Sequence, residues 1–160
     1  MTRYFIAGAL FLAGAASALG STEPDRCVPS IFPAEWLEAQ EASGGHTLAK
    51  HVGKNDEWLT NRLITETRIP AASSFTSVEN ARLAVRAALS ANRDRINQWA
   101  KNAARNARRA WDHDGPEVIG HVLARGDNDG MADRSSDLRV VLRADGEGGC
   151  LLLTAYPIPE

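Results

Sequence analysis

Two imidazoles, a guanidinium and two hydroxyls are the groups in this sequence that could move a proton and hold an anion. His46 and His51 lie in the run Gly44-Gly45-His46-Thr47-Leu48-Ala49-Lys50-His51-Val52-Gly53-Lys54; Arg62 follows, and Thr154 and Tyr156 lie in the closing segment Leu152-Leu153-Thr154-Ala155-Tyr156-Pro157. A histidine titrates near neutrality and can serve as base or acid. An arginine can grip two phosphate oxygens at once, and hydroxyls donate hydrogen bonds. Together these are the parts of a small acid/base site. Thr154 and Tyr156 are two apart on an expected strand, so their side chains leave from one face and can point into one cleft. His51 and Arg62 would share a side of an uninterrupted helix, but Gly53 interrupts it, so a tertiary contact has to bring them together. The bland alternative is an exposed Thr, a core Tyr with its hydroxyl at the rim, and a packed or solvated His on a short helix. His113 and His121 have no better claim than that.

Other chemistries fit poorly. A zinc site of the His-Glu-x-x-His kind wants histidines four apart with a Glu between them, whereas His46 and His51 are five apart with Thr, Leu, Ala and Lys between. No Gly-x-Ser-x-Gly elbow occurs, and the two cysteines read as structural. No metal or other cofactor is expected.

The elements that must position these groups follow from composition and pattern. At 160 residues, 44% hydrophobic and 24% charged, the chain is long enough for one domain with a buried core. Residues 1–18 read as a secretory signal peptide: Arg3, an apolar run from Tyr4 to Leu12, and Ala16-Ser17-Ala18, with cleavage after Ala18. The apolar run is too short to span a bilayer comfortably, so the mature chain is expected to be secreted or periplasmic and free of the membrane. Its removal takes the formal net charge from −2 to −3, because only Arg3 is lost. That acidity argues against a protein that holds nucleic acid by charge alone, but an enzyme needs only a local patch. Cys27 and Cys150, in an exported chain, are expected to pair.

Residues 19–43 read as an irregular segment with a short helix over Ala34 to Gln40. Leu48 and Val52 mark a second short helix that Gly53 stops. Asn55 or Asp56 caps a third, which carries Trp58, Leu59 and Leu63. Arg68 to Ser74, with Pro70, reads as a loop. Thr76-Ser77-Val78-Glu79 is a capping box with Phe75 as its hydrophobic staple. It opens a long helix whose buried stripe is Val78, Val85, Leu89, Ile96 and Trp99, with a break near Ser90 to Asn92. From Asn92 to Trp111, six basic residues against Asp94 read as a solvated helix face, with an RNA-contacting surface as the alternative. Glu117 to Ala124, Asp137 to Ala144 and Cys150 to Tyr156 read as strands, separated by turn-rich stretches at Gly126 to Ser136 and Asp145 to Gly149. On the second strand Leu138, Val140 and Leu142 face one side, and Arg139, Val141 and Arg143 the other. N-terminal helices followed by an antiparallel β-meander make an α+β fold.

The ordered set Gly45 to Lys54, Arg62-Leu63, Ala72-Ser73-Ser74-Phe75-Thr76, Trp99, Arg139-Val140-Val141-Leu142-Arg143 and Leu153 to Pro157 resembles the bacterial RNase A-like toxin domain known from the C-terminal ends of contact-dependent growth inhibition (CdiA) effectors. The likeness runs in order from about Gly44 to Pro157, most of the mature chain, and residues 44–160 would be the catalytic domain. It implies a fold like pancreatic ribonuclease without that enzyme's several disulfides, and a metal-independent endoribonuclease toxin. It also implies a monomer acting on RNA, transfer RNA included, in a target cell, and a cognate immunity protein in the producer. The family's His, Arg, Thr and Tyr fall on His51, Arg62, Thr154 and Tyr156, and His46 or Tyr156 would supply the second proton transfer. In the family the domain closes very long effectors, whereas this chain reads as carrying its own leader. The competing expectation is a non-catalytic exported protein that uses the same residues to hold a phosphate or a partner protein.

Overall fold

Leu138, Val140 and Leu142 alternate with Arg139, Val141 and Arg143, and the apolar row is essentially solvent-free. That row is the floor of the main core in the computed structural model, which describes residues 27–126 and 130–160. The expected leader, with its cleavage point after Ala18, lies outside the described residues. The elements run α1 (Trp36–Ala42), α2 (Thr47–His51), α3 (Asp56–Thr65), β1 (Ala71–Phe75), α4 (Val78–Ala91), α5 (Arg93–Asn102), β2 (Arg108–His113), β3 (Gly120–Ala124), β4 (Asp133–Ser135), β5 (Leu138–Ala144) and β6 (Cys150–Pro157). The strands form two antiparallel three-stranded sheets, ordered β1-β3-β4 and β2-β5-β6. The fold is α+β.

Sequence pattern explains the helices. Asn55 caps α3 by accepting from the Trp58 N–H, and Leu59 and Leu63, four apart, bury the face that packs on Ala72 and Leu123. Ser77 caps α4 by accepting from the Asn80 N–H, one residue later than the expected box, which leaves Glu79 in the first turn beside Arg82. Phe75 is fully buried in the main core. The long helix does break at Asn92, and Val85, Leu89 and Ile96 are buried as its stripe requires, whereas Val78 is exposed at its end. Each fully buried side chain of this size contributes about 1.5 to 3 kcal/mol by leaving water. Among the described residues no helix is long and apolar enough to cross a membrane.

Three expectations are corrected. Arg68 to Ser74 is not all loop: β1 begins at Ala71, immediately after Pro70, where proline's missing N–H costs no ladder bond, and it pairs residue for residue with β3. The basic stretch is not one helix: Ala103 turns extended, Asn106 takes a positive φ of 67°, and Arg108–His113 becomes a strand that buries Trp111 against the core. The strands are not one meander, because β3 pairs back onto β1 and takes β4, from within the turn-rich stretch, as its other neighbour. β5 and β6 form a hairpin. The Asp145 carboxylate closes its loop by accepting from the Glu147 and Gly149 N–H groups. Cys27 and Cys150 are disulfide-bonded, with Cα atoms 4.7 Å apart, so the start of the described chain is tied to the first residue of β6.

Candidate active site

The five residues singled out from the sequence, His46, His51, Arg62, Thr154 and Tyr156, all line one cleft of about 670 Å³. It lies where α2, α3 and β1 meet the outer face of the β5–β6 hairpin, between the main core and the smaller cluster under α3.

The Gly-Gly-His-Thr run is what seats α2 against β6. A Cβ on Gly45 would fall 2.7 Å from the Leu152 carbonyl oxygen and 2.9 Å from that of Gln40, so only glycine permits the approach. The His46 N–H then donates to the Leu153 carbonyl at 3.0 Å, and the Thr47 hydroxyl accepts from the Ala155 N–H at 2.9 Å. Glu41 satisfies the free N–H groups of Leu48 and Ala49 with its two carboxylate oxygens. At the other end Val52 bridges to Phe75 and the Gly53 N–H donates to its carbonyl, with Gly53 at a φ of 66°. His51 is thereby pinned between β6 and β1. Arg62, from α3, lines the same cleft, near enough for its charge to act on the His51 ring.

His51 is 6% exposed, and its Nδ1 lies 3.2 Å from the Ser73 carbonyl oxygen, an acceptor only, so Nδ1 carries the proton and Nε2 offers its lone pair. Its ring stacks on Tyr156, with centroids 5.1 Å apart. Burial, and then the Arg62 charge, push His51 down to about 3, against the opposing pull of the Ser73 carbonyl. The ring is therefore neutral at ordinary pH. His46 is also lowered, by burial first and then by Lys50, with Glu41 opposing.

Arg62 is held by Glu66 at 3.2 Å through Nε, and its guanidinium lies 5.5 Å from the Trp58 ring centre. Its Nη1 is buried and finds no acceptor in the protein, and neither does the buried Thr154 hydroxyl. Buried donors are ordinarily paired, so two unpaired ones lining the same cleft are notable. Thr154 and Tyr156 do share a face, as their spacing required, because the register slip in the hairpin falls between Val141 and Leu142, before Thr154 pairs with Val141 and Tyr156 with Arg139.

The register also brings in two residues that the sequence reading missed. Arg139 grips Asp112 through Nε and Nη2, at 2.6 and 2.7 Å, and both line the cleft. The Asp112 carboxylate, and to a lesser degree the Tyr156 oxygen, hold Arg139 firmly charged, while Arg139 holds the Asp112 carboxyl below its usual range. The available signal was parity: Arg139 belongs to the polar face of β5, the face that must oppose Tyr156. His121 is elsewhere, its Nε2 3.0 Å from the Lys54 carbonyl, and His113 sits on β2. No group of three or more His, Cys, Asp or Glu side chains among the described residues is placed to hold a metal ion.

The fold and cleft define an RNase A-like α+β domain whose candidate site is built from imidazole, guanidinium and hydroxyl groups. Residues 45–157 match the family described as the Bacterial CdiA-CT RNAse A domain, and the chain belongs to that family. It is also similar to a solved structure, a crystal structure of a CdiA-CT/CdiI complex from Y. kristensenii 33638. The likeness has 26% sequence identity and a TM-score of 0.63, over 72% of this chain and 100% of that one. No curated protein is matched by the sequence.

Proposed function

We propose that the protein is a metal-independent endoribonuclease toxin that cleaves RNA by attack of its own 2′-hydroxyl. The observation that carries this reading is the pair of buried, unpartnered donors, Arg62 Nη1 and the Thr154 hydroxyl, lining the same cleft as the neutral His51 ring. Such donors fit an anionic group that gains charge as it reacts. In the proposed reaction His51 Nε2 takes the 2′-hydroxyl proton and the 2′-oxygen attacks phosphorus. Arg62 and Thr154 hold the non-bridging oxygens of the phosphorane. The P–O5′ bond breaks, leaving a 2′,3′-cyclic phosphate, and Tyr156 protonates the departing oxygen. Tyr156 is preferred to His46 as the acid because its ring stacks on His51 and the Arg139 charge beside it would stabilise the oxygen left behind. Burial, and then the Lys50 charge, disfavour the protonated His46 that an acid would need. DNA lacks the internal nucleophile and is spared.

Residues 1–18 are proposed as an export signal and 44–160 as the catalytic domain, working as a monomer in a target cell. The CdiA-CT/CdiI complex to which the chain is similar supports a small cognate inhibitor in the producing cell. The leaderless protein expressed alone in a bacterial cytoplasm should arrest growth.

Purified mature protein incubated with total RNA in excess chelator should degrade it. His51→Ala should lose about 10²- to 10⁴-fold in rate. Absence of cleavage by folded wild type would return the protein to the competing reading, an exported domain that binds a phosphate or partner without turnover. Cleavage that requires a divalent ion would remove the metal-free mechanism.

A further inference from the structure

The face of the β2-β5-β6 sheet that carries the site continues past it. Cross-strand pairing sets Asp112, Arg139 and Tyr156 in one row and Ala110, Val141 and Thr154 in the next. Two residues further along each of β2 and β5, on the same face, Arg108 stands directly opposite Arg143. Like charges directly opposite on neighbouring strands repel, so the arrangement is unfavourable for the sheet on its own. Arg108 is exposed and Arg143 half-buried, and neither has an ion-pair partner among the described residues, although Arg139, Arg105 and Arg62 all do. Along β5, Arg139 and Arg143 are about 13 Å apart, a distance a short stretch of extended RNA strand covers.

We propose that Arg108 and Arg143 form a second phosphate-binding subsite, taking the backbone of the RNA strand next to the bond held over His51 and Arg62. This rests on the ribonuclease reading. An anion between the two guanidiniums turns their repulsion into shared attraction, which explains why an unfavourable pair stands on this face. Such a subsite adds affinity without base preference.

The test compares wild type with Arg108→Gln/Arg143→Gln on two substrates: a dinucleoside monophosphate, which has one phosphate, and a longer oligoribonucleotide. A third arm measures binding of the all-deoxy version of the longer strand, which cannot be cleaved, by fluorescence anisotropy. The double variant should lose about tenfold in kcat/KM on the longer RNA and almost nothing on the dinucleoside. The slope of log affinity for the deoxy strand against log salt should fall by about 0.7, the value for one phosphate contact on a single strand. Its Tm should equal or exceed that of wild type, since a repulsion is removed, and Arg108→Lys/Arg143→Lys should keep the salt slope. Equal losses on both RNA substrates, or deoxy-strand binding unchanged from wild type, would overturn the subsite. If wild type cleaves neither RNA, the ribonuclease reading fails, and the binding arm still decides whether this face holds a nucleic-acid backbone.

Discussion

At the scale of single residues the site combines groups that folding alone would not choose. His51 is neutral because burial and Arg62 disfavour its charged form, and this has a thermodynamic consequence. In the unfolded chain the ring binds its proton at the ordinary 6.5, in the folded protein only near 3. Between those values the unfolded state holds the extra proton, so stability rises with pH and is lost as pH falls, by up to about 1.4 kcal/mol per unit. Urea melts of wild type and His51→Gln between about pH 4 and 6 should show the variant's dependence shallower by close to one proton. Identical slopes would mean that the ring is solvated. The limb of the kcat/KM profile belonging to His51 should for the same reason lie well below the usual imidazole range. Thr154→Val makes the complementary point. The buried hydroxyl lacks a partner, so a methyl in its place should leave the fold as stable or raise it by about 1 kcal/mol, while cleavage falls. A variant that melts much earlier would show that the hydroxyl has a structural partner.

At the scale of elements, the helices were legible and the sheets only partly so. Local signals carry helix ends: Asn55 and Ser77 as caps and Leu59 with Leu63 at i, i+4 are decided within a few residues. The strand Ala71–Phe75 is not, because Ala-Ala-Ser-Ser-Phe has no β-branched residue and becomes a strand only by pairing with Gly120–Ala124. Likewise Arg108-Arg109-Ala110 reads as helix until the burial of Trp111 beside β5 outweighs propensity. That one error hid the Asp112–Arg139 pair, since Asp112 could not be aligned with Arg139 while β2 was unseen. Thr154 and Tyr156 were legible because a period of two needs no tertiary knowledge. The position of α3 also depends on a residue without a sequence signal: Arg125 donates to the carbonyls of Leu63, Glu66 and Ile69, clamping the C-terminal end of the helix that carries Arg62. Arg125→Ala should speed hydrogen exchange in α3, cost about 1 to 3 kcal/mol, and lower kcat/KM by loosening Arg62, while β5 and β6 keep their protection. Uniformly faster exchange would show that the clamp supports the whole domain rather than one helix.

At the scale of the whole molecule, the two halves of the site come from opposite ends of the chain: α2 and α3 from early residues, and β6 from the last ones. The Cys27–Cys150 bond joins the same two regions, across a sequence separation of 123. In the chain-entropy picture a loop of that size is worth close to 5 kcal/mol. Cys27→Ser/Cys150→Ser should therefore melt markedly earlier than wild type, with reductant lowering the wild type toward the variant and leaving the variant unmoved. The bond also sets the topology of the molecule in motion. Oxidised and unfolded, the chain from Cys27 to Cys150 is a closed ring, not a thread. A narrow pore that draws polypeptide end-on would meet a doubled strand at the disulfide, so single-file passage has to follow reduction or precede oxidation.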